Sequence, residues 1–369
     1  MGEVTQNTLY LTTPGTFVGR DHRTLLVEVP VYPDDLPRAE RTRDRAESWR
    51  KVSLPIHNLE SLAAFGPVTI TGPALDLCWE HGVAVHYLSE GGYLQARLTG
   101  VADTSVTLRR AQFRAADVPS RCAAIARCII AGKIQNSRNS LLRAARETEA
   151  DSERHQLTTV TDSLARQLEE LGRWTADDLE RPGALDALRG AEGMAAKRYF
   201  EVFTFLLKQQ RDTFAFTGRS RRPPRDRINC LLSFLYALVR HDCLAALTTA
   251  GLDPFVGYLH AERPNRPALA LDLMEEFRPW VADRLAVTLI NRQQIGADDF
   301  RIREGGAVEL TDAGRKRVLK AYQERKQDTL QHPLLDQNLR LAQLPFVQAR
   351  LLARHLRGDV PDYLPLLPK

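Results

Sequence analysis

Glu192 sits between Ala191, Gly193 and Met194, small or apolar neighbours that give an acid little company. His260 lies in a polar turn, and Asp272 and Glu275 follow it inside an apolar segment, three residues apart and so on one helix face. Leu269, Leu273, Met274, Phe277, Trp280 and Val281 recur at helical spacing, and the acidic pair borders that stripe rather than opposing it. A carboxylate near an apolar core is costly unless a cation, a metal or hydrogen-bond donors answer it. Two readings stay open at this point. His260 could join the acids around one ion, or the acids could be surface groups matched by Arg278 and Arg284.

These side chains need elements to hold them. Pro267 suits the first turn of a helix that continues toward Leu285. Glu192 falls in a helix beginning near Gly183, whose buried face is expected to include Leu185, Leu188, Met194, Ala195, Tyr199, Phe203 and Leu206. Gly190 and Gly193 weaken that helix by roughly 1 kcal/mol each and suggest close approach by something, such as a nucleic-acid backbone. A long helix from Pro119 to about Glu149 clusters Lys133, Asn136 and Arg138, and another runs from Ser152 to Gly172.

An arginine-rich loop carries Arg219, Arg221, Arg222, Arg225 and Arg227 around Pro223 and Pro224; it reads as a phosphate-holding arrangement, with a disordered basic tip as the alternative. A helix then starts near Asp226, Asn229 is placed to bond the loop, and Leu231–Val239 reads as core. Phe300–Leu310 reads as a hairpin with a Gly-Gly turn, Thr311 caps a helix to about Lys326, and Asn338–Arg357 reads as the last helix. The segment 359–369 is apolar and rich in proline, suited to docking.

Ahead of residue 104 the pattern changes to short strands: Leu9–Leu11, Thr24–Val29, Val68–Ile70, Val83–Leu88 and Tyr93–Leu98, with one helix over Ala74–Glu80 stopped by Gly82. The charge-dense run 34–51 reads as a mobile, solvated hairpin tip or insert. The expected class is α+β and multidomain: a small β domain over 1–103, a linker over 104–118, and a larger all-α catalytic and DNA-binding domain over 119–369.

The chain of 369 residues carries a net charge of +5, unevenly spread. Residues 1–103 hold nine Lys or Arg against thirteen Asp or Glu, and the remainder holds forty-two against thirty-three. Only eight of the 51 basic residues are lysine, and arginine forks favour phosphate, so a nucleic-acid partner is indicated. Five cysteines without a CxxC pair indicate neither a disulfide framework nor a cysteine metal site. No long uncharged apolar run and no amino-terminal signal pattern stand out, which reads as a soluble, cytoplasmic protein away from membranes.

Three windows, AEGMAAKRYF, GYLHAERPNRPALALDLMEEFRP and IIAGKIQNSRNSLLR, resemble the CRISPR adaptation integrase, the larger catalytic subunit of the complex that inserts new spacers. The run LPIHNLESLAAFGPVTITGPALDLCWEHGVAVHYLS is similar to that family's β domain, and GGAVELTDAGRKRVLKAYQER and the insert after Val31 look most like type I-C members. The resemblance implies that Glu192, His260 and Glu275 gather one Mg²⁺ or Mn²⁺, with Asp272 as a second acid and Arg278 as a basic neighbour. Some relatives carry aspartate where Glu275 stands.

It implies a DNA 3′-OH attacking a repeat phosphodiester. The substrates would be a double-stranded prespacer with 3′ overhangs and CRISPR repeat DNA. Arg263, Arg266, Arg278, Lys133, Arg138, Arg219, Arg221, Arg222 and Arg225 are the candidate DNA contacts. Implied partners are a second copy of the chain, a small ferredoxin-like adaptation subunit and an iron–sulfur nuclease that trims prespacers. The alternatives are a stand-alone metal nuclease on branched or repair-intermediate DNA, and a non-catalytic DNA scaffold whose acids merely satisfy arginines.

Overall fold

The computed structural model describes residues 8–33, 36–37, 40–59, 61–89, 94–98, 106–220 and 223–368. It divides into two compact units, Met1–Thr104 and Ser105–Lys369.

The first unit contains β1 (Thr8–Leu11), β2 (Phe17–Asp21), β3 (Thr24–Val31), β4 (Ser48–Pro55), β5 (Ser61–Phe65), β6 (Thr69–Ile70), α1 (Gly72–Glu80), β7 (Ala84–Leu88) and β8 (Leu94–Leu98). One sheet has the order β1-β5-β7-β8, parallel except for the β7–β8 pair. The other has the order β4-β3-β2-β6. Val18, Leu25, Leu62, Leu77 and Val85 meet in its core. All five residues of β5 are buried, as befits a strand inside a parallel arrangement. Thr71 caps α1 through its hydroxyl, which accepts from Ala74 N, and Gly82 ends the following turn at φ 68°.

The charged run is not a solvated tip throughout. Its end forms β4, which pairs with β3 from Ser48 opposite Val31 to Pro55 opposite Thr24. Arg43 lies 4.7 Å from the Phe17 ring and 4.4 Å from the Trp49 ring while bonding Glu28 at 3.0 Å. Aromatic faces and a carboxylate give this arginine what water would otherwise supply. Residues 34, 35, 38 and 39 lie outside the described residues.

The second unit contains α2 (Val106–Ala116), α3 (Pro119–Glu147), α4 (Asp151–Gly172), α5 (Ala176–Glu180), α6 (Ala184–Glu201), α7 (Arg227–Thr249), α8 (Ala268–Met274), α9 (Arg284–Asn291), β9 (Phe300–Ile302), β10 (Val308–Leu310), α10 (Asp312–Lys326), β11 (Thr329–Gln331), β12 (Asn338–Arg340) and α11 (Leu344–Arg357). Residues 106–116, expected as part of a linker, are helical because Leu108, Gln112 and Ala115 find a buried face; Gln112 bonds the backbone of Asp253 and Val256. The unit is not all helix: β9–β10 and β11–β12 are antiparallel ladders, and β12 with a short 3₁₀ turn takes the expected start of the last helix.

By length and composition α7 could cross a membrane, although Arg240 and Asp242 interrupt its apolar run. Its apolar window is 83% buried in protein, which makes it the core helix of this unit. Asp226 caps it by accepting from Asn229 N at 2.7 Å, and Asn229 in turn bonds Gly218 O at 2.8 Å and Ser220 N at 3.0 Å. The loop before α7 is thereby fastened to its first turn.

The helix expected from Pro267 to Leu285 is broken. After α8, a π-helical turn spans Arg278–Asp283 before α9 continues. Pro279 has no N–H to give the preceding turn, so the ladder loosens there. Beside this region lies the apolar tail, with Tyr363 and Leu366 buried. Pro365 packs so closely on α3 that a Cβ at Gly132 would fall 2.7 Å from it.

Candidate metal and DNA site

Asp272 leaves α8 toward the preceding turn and is wholly buried. Its Oδ2 accepts from Tyr258 N at 2.6 Å and Leu259 N at 3.0 Å, and its Oδ1 accepts from His260 N at 2.9 Å. The His260 ring adds a fourth bond from Nδ1 at 2.7 Å. Three backbone donors and an imidazole replace the water that burial removes. The wrap is tight: a Cβ on Gly257 would lie 2.8 Å from Ala268 and 2.9 Å from Asp272 Oδ2. Asp272 is thus a fixture that orients His260, leaving Nε2 as the outward nitrogen.

That nitrogen stands 3.7 Å from Glu275 Oε1. Glu275 is itself buried; Arg278 Nη1 pairs with Oε1 at 2.9 Å, and Lys133 Nζ lies 2.6 Å from Oε2. The ammonium and Oε2 form a buried ion pair. Burial alone would raise the Glu275 carboxyl, but Arg278, Lys133 and His260 together outweigh it and hold it at about 2. Arg278, not Arg284, answers this acid; Arg284 lies 6.0 Å over Trp280.

Glu192 comes from α6, and its Oε1 meets Lys133 Nζ. Lys133, expected at a DNA surface, is 8% exposed and links Glu192 to Glu275 from inside the protein. Among the described residues no three His, Cys, Asp or Glu side chains stand close enough to share an ion as they lie. The donor set nonetheless fits a divalent ion. It comprises the Glu192 and Glu275 carboxylates and an imidazole nitrogen backed by a third acid, Asp272.

The remaining expected contacts divide. Arg263 and Arg266 close a turn through Arg266 N to Arg263 O at 3.0 Å, and Arg263 is exposed. Arg138 donates to Thr161 O at 3.2 Å and so pins α3 to α4. Arg219 bonds Asn229 and stacks 5.2 Å from the Tyr236 ring, while Arg225 reaches Gly305 O at 2.8 Å in the β9–β10 hairpin. Arg221 and Arg222 lie outside the described residues.

Other neighbours of the site went unnoticed in the sequence. Tyr236, read as core, has the guanidinium of Arg278 4.9 Å from its ring and donates to Asp283 Oδ1 at 2.6 Å. Met194 was assigned to the buried face but is 47% exposed, because α6 turns that side to an open cleft of about 370 Å³ with Arg166, Gln167, Ala191 and Arg198. Gly190 and Gly193 have nothing of this chain within 4 Å of a would-be Cβ. Glu276 is fully buried beside Glu275, and its signal was the second acid of the LMEEF run.

The family model described as CRISPR associated protein Cas1 matches residues 9–324. CRISPR-associated endonuclease Cas1 1 of Moorella thermoacetica is 45% identical over 361 residues, 98% of each chain. A solved casposase bound to integration product shares the fold, with TM-score 0.79, 20% identity, and 97% and 93% coverage of this chain and that one. A solved Cas6-RT-Cas1--Cas2 complex aligns with TM-score 0.74 and 25% identity over 100% of this chain and 36% of that one. With a family model spanning most of its length and a relative matching nearly all of it, the chain belongs to the CRISPR-associated Cas1 family.

Proposed function

We propose that this chain is a divalent-metal-dependent DNA integrase of CRISPR adaptation, joining prespacer 3′-OH ends to CRISPR repeat DNA. The observation that carries the reading is the buried Glu275 carboxylate 3.7 Å from Nε2 of a histidine that Asp272 has already oriented. Glu192, His260 through Nε2, and Glu275 would hold Mg²⁺ or Mn²⁺. The bound ion would polarise the scissile phosphate and ease departure of its oxygen.

The protein's own groups do the positioning. Asp272 fixes the imidazole, Arg278 keeps Glu275 charged and aimed, and Arg166 and Arg198 line an open cleft next to Ala191 that suits a phosphate backbone. Arg263, exposed at the turn after His260, would meet a second strand. In the reaction the 3′-oxygen forms a bond to phosphorus as the repeat's own P–O3′ bond breaks. The attacking hydroxyl loses its proton and the departing oxygen gains one.

A second copy and a small Cas2-like subunit are the proposed partners, supported by the Cas1–Cas2 complex among the similar structures. The iron–sulfur trimming nuclease rests on the type I-C likeness of the sequence alone. Water in place of the 3′-OH would make the same site a stand-alone nuclease, a reading supported by the endonuclease name of the Moorella relative.

The test is strand transfer of a labelled duplex with 3′ overhangs into a CRISPR repeat, with the small subunit and Mg²⁺ or Mn²⁺. Joined product is expected from wild type and none from His260→Ala or a 3′-dideoxy donor. Nicking without joining would select the nuclease, and joining by His260→Ala would overturn the site.

A further inference from the structure

Lys133 is in an unusual place for a lysine. Its ammonium is buried against Glu192 and Glu275, which come from separate elements, α6 and the end of α8. Lysine is seldom buried unless paired, and here both partners are the acids assigned above to a divalent ion. The ammonium therefore contacts both carboxylates that would hold that ion. Arg278 sits differently, beside Glu275 Oε1 at 2.9 Å, and leaves Oε2 to Lys133.

Two acids, Glu192 and Glu275, already share Lys133, and Arg278 adds a second cation beside Glu275. A doubly charged ion added to that set would lie against an ammonium sharing its oxygens, and like charges at such range repel strongly in a buried site. Room for withdrawal exists: a small pocket of about 20 Å³ is lined by Lys133 with Tyr199, Tyr236, Arg278 and Asp283.

We propose that Lys133 is an internal counter-ion that holds the place of the divalent ion in the metal-free protein and leaves the two carboxylates when the ion binds. The inference rests on the metal reading of the site and deepens it. Without metal, Lys133 keeps two acids from repelling each other; with metal, that duty passes to the ion and the ammonium is released.

The test uses the full chain with Mn²⁺ alone, followed by calorimetry and by the electron paramagnetic resonance of bound Mn²⁺. Lys133→Met, neutral and of similar length, is expected to bind Mn²⁺ about tenfold or more tighter than wild type. It should also melt lower than wild type without metal and regain most of the difference at saturating Mn²⁺. Glu192→Gln should bind more weakly.

If wild type binds, Glu192→Gln is weakened and Lys133→Met is no tighter than wild type, the metal reading stands and the counter-ion proposal falls. If none of the three binds Mn²⁺, both fall. Should Lys133→Met fail to fold, wild type labelled at the lysine ε-carbon decides by NMR during a Mg²⁺ titration. The chain has only eight lysines. One ε-signal shifting in step with calorimetric Mg²⁺ binding supports displacement, and eight stationary signals at saturation overturn it.

Discussion

Glu275 and Glu276 are neighbours, and each is almost completely buried, yet their surroundings are opposite. Glu275 faces Arg278, Lys133 and His260, and these charges hold its carboxyl at about 2 against the effect of burial. Glu276 faces neutral donors. Leu366 N at 2.8 Å and Gln348 Nε2 at 2.9 Å meet Oε2, and the Tyr363 hydroxyl meets Oε1. Burial outweighs these hydrogen bonds and leaves its carboxyl pushed up to about 7. Depth alone therefore does not determine the state of a buried acid; the net charge of the lining does. One residue is kept as an anion available to a ligand, and its neighbour is a rivet between α8 and the tail.

The largest way to break this contrast is to strip the charged lining. Arg278→Met leaves a buried carboxylate with less compensation and is expected to destabilise the protein by about 3 to 5 kcal/mol in denaturant unfolding. Glu275 would then titrate higher than in wild type.

Next in size is Glu276→Gln, read as stability against pH. A raised folded-state pKa means that Glu276 contributes stability fully below its ordinary value of 4.5, and that this contribution is lost as pH rises through about 7. The full span amounts to about 3 kcal/mol. The amide should flatten that slope, since its nitrogen can face the Tyr363 hydroxyl while its oxygen keeps the two other donors. Glu275 has the opposite sign: its contribution is present above 4.5 and disappears as pH falls toward about 2, so Glu276→Gln should leave the acid limb alone. An unchanged slope between 4.5 and 7 would show that Glu276 is charged in the native state.

The smallest expected effect comes from Tyr363→Phe, which removes one donor from the neutral lining. A loss of about 1 to 2 kcal/mol in thermal unfolding is expected, with little change in Mn²⁺ binding, because Glu275 keeps its own partners. A large loss of Mn²⁺ affinity would mean that the two linings act as one.

Much of the second unit could be read directly from the chain, because α3, α4, α6 and α7 carry long apolar periodicities and α6, α7 and α10 have recognisable start positions. β5 was missed because SLAAF, buried on every residue, neither alternates nor carries β-branched side chains. β4 was hidden by its charges, which an outer strand of the sheet tolerates.

At the site, spacing alone put Asp272 and Glu275 on one face and flagged the isolation of Glu192. His260 meets Asp272 directly through Nδ1. What spacing could not convey is direction. Lys133 turns inward and Met194 outward, and Glu276 seeks the tail, because long-range packing chooses among faces that periodicity leaves equivalent.

The rivet at Glu276 also orders events in time. Its backbone partner, Leu366, lies 90 residues further along the chain. At ordinary translation speeds of about 5 to 20 residues per second, several seconds separate the synthesis of the two. During that interval α3 and α8 can form, but Glu276 has no tail to close over it, and ionised it would favour water over the core. Loop closure over such a separation belongs to the late, slow part of folding. The residues around Glu275 are thus expected to reach their final geometry among the last of this unit.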